Sequence, residues 1–192
     1  IDHVKTVAIN TFFNPAIIFN SILQEKQPVI VIENKTDYGK KILANPSKAF
    51  SYQRTADAYP IVHIKPIVSE ADVTIVAYGG MADFVATMIE ELFKACDIKP
   101  ELIVPSLISE IPIKLLSTCV SNTKKLIVIE EGSSYAAYSS ELISALSEAI
   151  DVSFKVKRIA GLPVPIPAVK SLELEVIPDK DRIISEIKSM FK

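Results

Sequence analysis

Histidine and cysteine are scarce in this chain: 192 residues contain two of each. Cys96 and Cys119 form no CxxC pair and show no metal-ligand spacing. The expectation is two reduced thiols in a cytoplasmic protein, ahead of a disulfide or a nucleophile. His3 lies at the very start. His63 alternates with Val62 and Ile64 in PIVHIKP, so it faces the other side of a strand, in a structural or solvated place. No apolar run approaches the ~18–20 residues that a bilayer-spanning helix needs, so no membrane is expected. Net charge is −2, which leaves no bulk electrostatic case for nucleic acid. GxGxxG, Walker, GxSxG and HExxH signatures are missing. The opening Ile1-Asp2-His3-Val4-Lys5 has no basic segment leading into an apolar one, so no signal peptide is expected. It begins with Ile, not Met, and the expectation is a piece of a longer polypeptide.

What is present is an ordinary globular composition, 49% apolar and 23% charged. Residues 4–9 read as a strand. In NPAIIFNSILQ (14–24) Asn14 can cap a helix and Pro15 suits its first turn. PVIVIEN (28–34) is a continuous apolar run, the mark of a strand buried on both faces. Residues 35–59 are polar and aperiodic, and read as a linker. Alternation then resumes, with strands in 60–64, 72–80, 101–108, 124–132 and 154–161. Helices are expected in 81–97, 111–123, 133–150 and 179–192. In 81–97 the inward stripe runs through Phe84, Val85, Met88, Ile89, Leu92, Phe93 and Cys96. In 179–192 it runs through Ile183, Ile184, Ile187 and Phe191. Strands alternating with helices of this length predict α/β architecture, a mostly parallel sheet with helices on its faces.

Chemistry-bearing candidates are few. Gly79-Gly80 follows a strand and opens a helix, where backbone amides could receive a phosphate, or simply form a tight turn. Glu130-Glu131 ends an apolar strand, where ligands gather in open α/β sheets. Adjacent strand residues face opposite ways, so the two carboxylates do not form an acid/base pair. They suit a solvent-facing strand end or a hydrogen-bonding post at a subunit contact. Tyr135 and Tyr138 suit packing at a helix start. Asp179 and Asp181 suit a helix N-terminus. GLPVPIPAVKSLELEVIP (161–178) carries three prolines in five residues. Each fixes φ and removes a donor, so the crossing is stiff and stays out of a sheet interior.

Three of these segments carry a resemblance. PVIVIENKTDYG contributes Pro28, Glu33, Asn34, Tyr38 and Gly39; LIVIEEG contributes Glu130 and Glu131; GLPVPIPAVKSLELEVIPDKDRII contributes Gly161, Pro165, Pro167, Lys170 and Glu173. Together with DVTIVAYGG they resemble the C-terminal region of the beta subunit of thiamine diphosphate-dependent 2-oxo acid dehydrogenases of the pyruvate dehydrogenase type. The helix entry after the Glu pair, usually glycine-rich in that family, is AAYSSE here. The resemblance implies a three-layer α/β sandwich with a mixed, mostly parallel sheet, transketolase C-terminal domain-like. It divides the chain into a strand–helix–strand remnant of a pyrimidine-binding domain (1–39), a linker (40–59) and the C-terminal domain (60–192).

The resemblance also implies that the parent enzyme uses thiamine diphosphate and magnesium, and that this chain holds neither alone and lacks the catalytic residues. Its implied work is assembly: pairing as a homodimer, meeting an alpha subunit or the N-terminal half of the parent, and docking to the dihydrolipoyl acyltransferase core. Glu33, Asn34, Tyr38, Gly39, Glu130, Glu131, Gly161, Pro165 and Pro167 are its implied motif or interface residues. Two other readings remain open from the sequence: the C-terminal domain of a transketolase or deoxyxylulose-phosphate synthase, and a stand-alone binding module without a reaction of its own.

Overall fold

The computed structural model describes residues 3–43 and 48–192. Near the start, β1 (Lys5–Ala8) and β2 (Val29–Ile32) pair in parallel, with Val7 opposite Val31. The helix α1 (Ala16–Ile22) connects them. Asn14 Oδ1 accepts the Ala16 N–H at 2.9 Å, and this fixes the entry to α1.

The apolar runs further along build one six-stranded sheet. Its strands are β3 (Phe50–Arg54), β4 (Ile61–Pro66), β5 (Val73–Ala77), β6 (Pro100–Pro105), β7 (Lys125–Ser133) and β8 (Lys155–Gly161), in the order β3-β4-β6-β5-β7-β8. β6, β5, β7 and β8 run parallel, while β4 is antiparallel to β6 and β3 antiparallel to β4. All five residues of β5 are buried, because helices cover both faces there. Burying each Val or Ile contributes roughly 1.5–3 kcal/mol.

The pleat sorts these side chains between two layers. Val73, Ile75, Leu102, Ile127 and Ile159 meet α2 (Gly79–Cys96) and α6 (Lys180–Ser189). Val76, Ile103, Leu126 and Val128 meet α3 (Ile113–Thr123) and α4 (Tyr138–Ala149) on the other face. The result is the expected three-layer sandwich. No helix among the described residues is long and apolar enough to cross a membrane.

Several expectations need correction. Phe50–Arg54, inside the stretch 40–59 read as a linker, is β3. Phe50 is buried, while Ser51 and Tyr52 are half-buried and Gln53 and Arg54 exposed, an edge-strand pattern too polar to show in sequence. Residues 44–47 of that stretch lie outside the described ones. β2 is not buried on both faces: Ile30 is 48% and Ile32 41% exposed, because β1 pairs with β2 and nothing described covers that face. A helix, α5 (Lys170–Val176), follows the proline crossing, where the sequence, dominated by prolines, carries no helical signal. Phe84 and Phe191 are each 38% exposed and do not face the core. The Lys125 ammonium covers the Phe191 ring, 4.7 Å from its centroid.

Candidate functional site

The carboxyl ends of β5 and β7 bring most of the sequence-selected residues to one rim. β5 runs into Tyr78 and then Gly79, whose φ of +55° starts α2 without the strain an L side chain would meet. Towards its carboxyl end β7 carries Glu130 and Glu131, which face opposite sides of the sheet.

On the α3/α4 side, Glu130 is 1% exposed. Its Oε2 accepts a hydrogen bond from the Tyr78 hydroxyl at 3.3 Å. The Tyr78 and Tyr138 rings pack edge-on, centroids 5.4 Å apart. Burial first, and then the Glu130 charge, push the Tyr78 hydroxyl well above its usual range. Burial and the nearby Tyr78 and Glu130 do the same for Tyr138. Both therefore stay protonated donors. Among the described residues, Glu130 Oε1, the Tyr138 hydroxyl and Ser139 Oγ are buried without a hydrogen-bond partner. Glu130, Tyr78 and Tyr138 border an open cavity of about 820 Å³ that Ser109 and Glu141 also line. Tyr135 stands 87% exposed at its mouth, away from the packing expected of it. Ala136, beside it, has a φ of +51°, in the helix entry where the family resemblance led us to expect glycine.

On the α2 side, Glu131 shares a smaller cavity of about 160 Å³ with Glu33, Asn34, Lys35 and Gly80. Asn34 Oδ1 accepts the Thr36 N–H at 3.1 Å and caps the short 3₁₀ turn Lys35–Asp37. The Asn34 side chain lies so close to α2 that a Cβ on Gly80 would fall 2.2 Å from Nδ2. Gly80 thus admits Asn34, which is a packing role. Glu33 Oε2 accepts from the Tyr38 hydroxyl at 2.7 Å; Tyr38 itself is exposed. Gly39 has open space around it. Local burial raises the Glu131 pKa, and the charges of Glu173 and Asp37 add to this.

Gly161 belongs to the end of β8, where the register with β7 shifts and Ser133 pairs with Gly161. A Cβ there would lie 2.4 Å from the Glu131 carbonyl oxygen, so the close approach needs glycine. Pro165 and Pro167 lie beyond it in the surface crossing. The rim thus joins Glu33, Asn34, Glu130, Glu131 and Gly161, and leaves Tyr38, Gly39, Pro165 and Pro167 outside the two cavities.

This arrangement offers carboxylate acceptors and hydroxyl donors, a set suited to holding a polar partner. For a diphosphate it is a poor fit: the cavity at the start of α2 carries one lysine, Lys35, against Glu33 and Glu131. His63, for which a structural or solvated place was expected, is half-buried and pairs with Glu101 at 2.7 Å away from this rim, beside Cys119, a neighbourhood that sequence spacing gave no way to find.

Comparison with known proteins gives these geometries a family. Residues 63–183 match the family described as Transketolase, C-terminal domain. A pyruvate dehydrogenase E1 component subunit beta from Cyanidium caldarium is 26% identical over 193 residues, covering 98% of this chain and 56% of that protein. A mitochondrial subunit beta-2 of the same component from Oryza sativa subsp. japonica is 27% identical over 173 residues, covering 89% and 45%. The chain spans about half the length of these curated relatives. A solved structure described as a split gene transketolase, inactive beta4 tetramer, shares the fold with a TM-score of 0.70 at 15% identity, covering 97% of this chain and 57% of that one. The matched segment runs from β4 to the first turns of α6, and by that match this chain belongs to the transketolase C-terminal domain family.

Proposed function

We propose that this chain is the C-terminal assembly region of a thiamine diphosphate-dependent 2-oxo acid dehydrogenase beta chain, and that it carries no catalytic residue of its own. The observation that carries this reading is a ridge of exposed apolar side chains on the proline crossing and α5: Leu162, Val164, Ile166, Val169, Leu172 and Leu174. A run of this kind on a stiff segment marks an interaction surface, and Pro163, Pro165 and Pro167 lower the entropy lost when it docks. A second copy of the chain is the occupant proposed for the ridge.

The half-exposed outer face of β2 supports a second contact, with the upstream part of the parent or with an alpha subunit. Docking to a dihydrolipoyl acyltransferase core belongs to the same proposal. Thiamine diphosphate and magnesium would be held by those other parts. The carboxylate-rich rim supports this, since it would repel a diphosphate.

Sedimentation velocity tests the reading. The chain should sediment as a dimer or larger species, and the double variant Ile166→Asp, Leu172→Asp should sediment as a monomer with unchanged circular dichroism. A monomeric parent chain at high concentration would overturn the pairing. Calorimetric titration with thiamine diphosphate should show no saturable binding, and micromolar binding would overturn the non-catalytic assignment.

A further inference from the structure

At the amino ends of the parallel strands, away from the acidic rim, three elements bring a nitrogen, an oxygen and a sulfur donor together. β4 runs antiparallel to β6, with His63 opposite Ile103 and Ile64 opposite Leu102. Glu101, next along β6, therefore sits within reach of the imidazole. His63 Nε2 lies 2.7 Å from Glu101 Oε2. Cys119, in the last turns of α3, places its Sγ beside the Glu101 carboxylate. The ligand-capable atoms of His63, Glu101 and Cys119 all lie within 4.8 Å of one another. Glu101 and Cys119 are each 6% exposed.

A buried His–Glu hydrogen bond alone would account for two of these residues. It would not account for the thiol beside them, nor for the way the carboxylate is held. Thr74 Oγ1 donates to Glu101 Oε1 at 2.8 Å and shares a second 2.8 Å hydrogen bond with Thr123 Oγ1. One carboxylate oxygen is thus fixed by an outer shell of hydroxyls, and the other is turned toward His63. Outer support of this kind orients metal-binding carboxylates and imidazoles. The donors stand on two strands and a helix, so their placement is rigid.

We propose that His63 Nε2, Glu101 Oε2 and Cys119 Sγ form a binding site for a zinc-class divalent cation, with a fourth position open to solvent. A mixed nitrogen, oxygen and sulfur set suits zinc, and three protein ligands plus an open position is the arrangement of accessible zinc sites. The open side is provided by a cavity of about 810 Å³ that all three ligands border, along with Lys65, Ser69 and Asn122. Ligand atoms on a tetrahedral zinc stand about 3.3–3.7 Å apart. The His63–Glu101 contact therefore widens slightly to admit the ion, and Cys119 closes in. Binding displaces the thiol proton to solvent. The bound ion ties β4, β6 and α3 together and stabilises the folded chain.

Titration of the full chain with Co²⁺ tests this directly. A thiolate-to-cobalt charge-transfer band should appear in the near ultraviolet and saturate at a single equivalent. Zn²⁺ should displace it, and Zn²⁺ should raise Tm. Cys119→Ser, which keeps a hydroxyl for Glu101, should abolish the band. His63→Gln should weaken Co²⁺ binding by ~100-fold, and Cys96→Ser should leave it unchanged. Circular dichroism checks that each variant is folded; should His63→Gln unfold, the near-isosteric Cys119→Ser decides. The proposal is overturned if no band forms, if the band survives Cys119→Ser, or if it vanishes with Cys96→Ser.

Discussion

A side chain at position 161 would collide with backbone. The Cβ would stand 2.4 Å from the Glu131 carbonyl, an atom held by the β7–β8 pairing that cannot rotate away. Gly161→Ala should cost about 1–3 kcal/mol in urea unfolding. Gly39→Ala, with open space around it, should fall within about 0.5 kcal/mol of the parent. Asp83 shows a different residue-level constraint. Its two oxygens accept the Thr11 N–H at 3.1 and 3.2 Å, and it is 3% exposed. Burial, with the Asp37 charge, pushes its pKa up to about 6 from 3.8, against the lowering by Thr11 and Lys40. The folded chain then binds a proton that the unfolded chain has released. Its contribution to stability is therefore present below about pH 4 and lost as pH rises through about 6. Asp83→Asn should flatten that part of the stability profile, measured as urea midpoints across the window. An unchanged slope would rule the assignment out.

Among the elements, α6 shows how local chemistry and packing combine. Asp179 Oδ1 accepts the Arg182 N–H at 2.8 Å, the capping role its sequence position suggests. Arg182 Nη2 then donates to the Ala160 carbonyl at 2.8 Å, and Lys180 pairs with Glu91 at 2.5 Å. Ile183 and Ile187 are fully buried. Asp179→Ala should cost about 1 kcal/mol, read by thermal or urea melting. An unchanged midpoint would mean that packing of the two isoleucines alone holds the helix. The central strands were legible because unbroken apolar runs, such as Leu126–Ile129 of β7, fill most of their length. β3 was not, because an edge strand carries polar residues such as Gln53 and Arg54. α5 was hidden because its start at Lys170 depends on where the crossing delivers the chain, and a run of prolines does not reveal that.

For the molecule as a whole, the segment before residue 40 does not stand apart. Val7, Phe12, Phe13 and Ile18 belong to the same apolar cluster as Val62, Ile75 and Ile89 of the main sheet and α2. Phe12 also stacks on Tyr52 of β3, centroids 6.3 Å apart, and its carbonyl accepts from the Tyr52 hydroxyl at 2.8 Å. Unfolding should therefore be a single transition, with far-ultraviolet and tyrosine near-ultraviolet circular dichroism coinciding. Phe12→Ala should lower stability by about 3–5 kcal/mol and keep one transition. Two resolved transitions would show that the opening segment unfolds independently.

By itself the sequence determined the layered α/β class, the parallel centre of the sheet and the stiffness of the crossing, because hydrophobic period and proline geometry act over a few neighbouring residues. Only the tertiary structure decided that Glu130 meets Tyr78, that Gly161 must yield to the Glu131 carbonyl, and that His63, Glu101 and Cys119 converge. Those residues lie far apart along the chain, and their meeting depends on strand order and register, which no local pattern encodes.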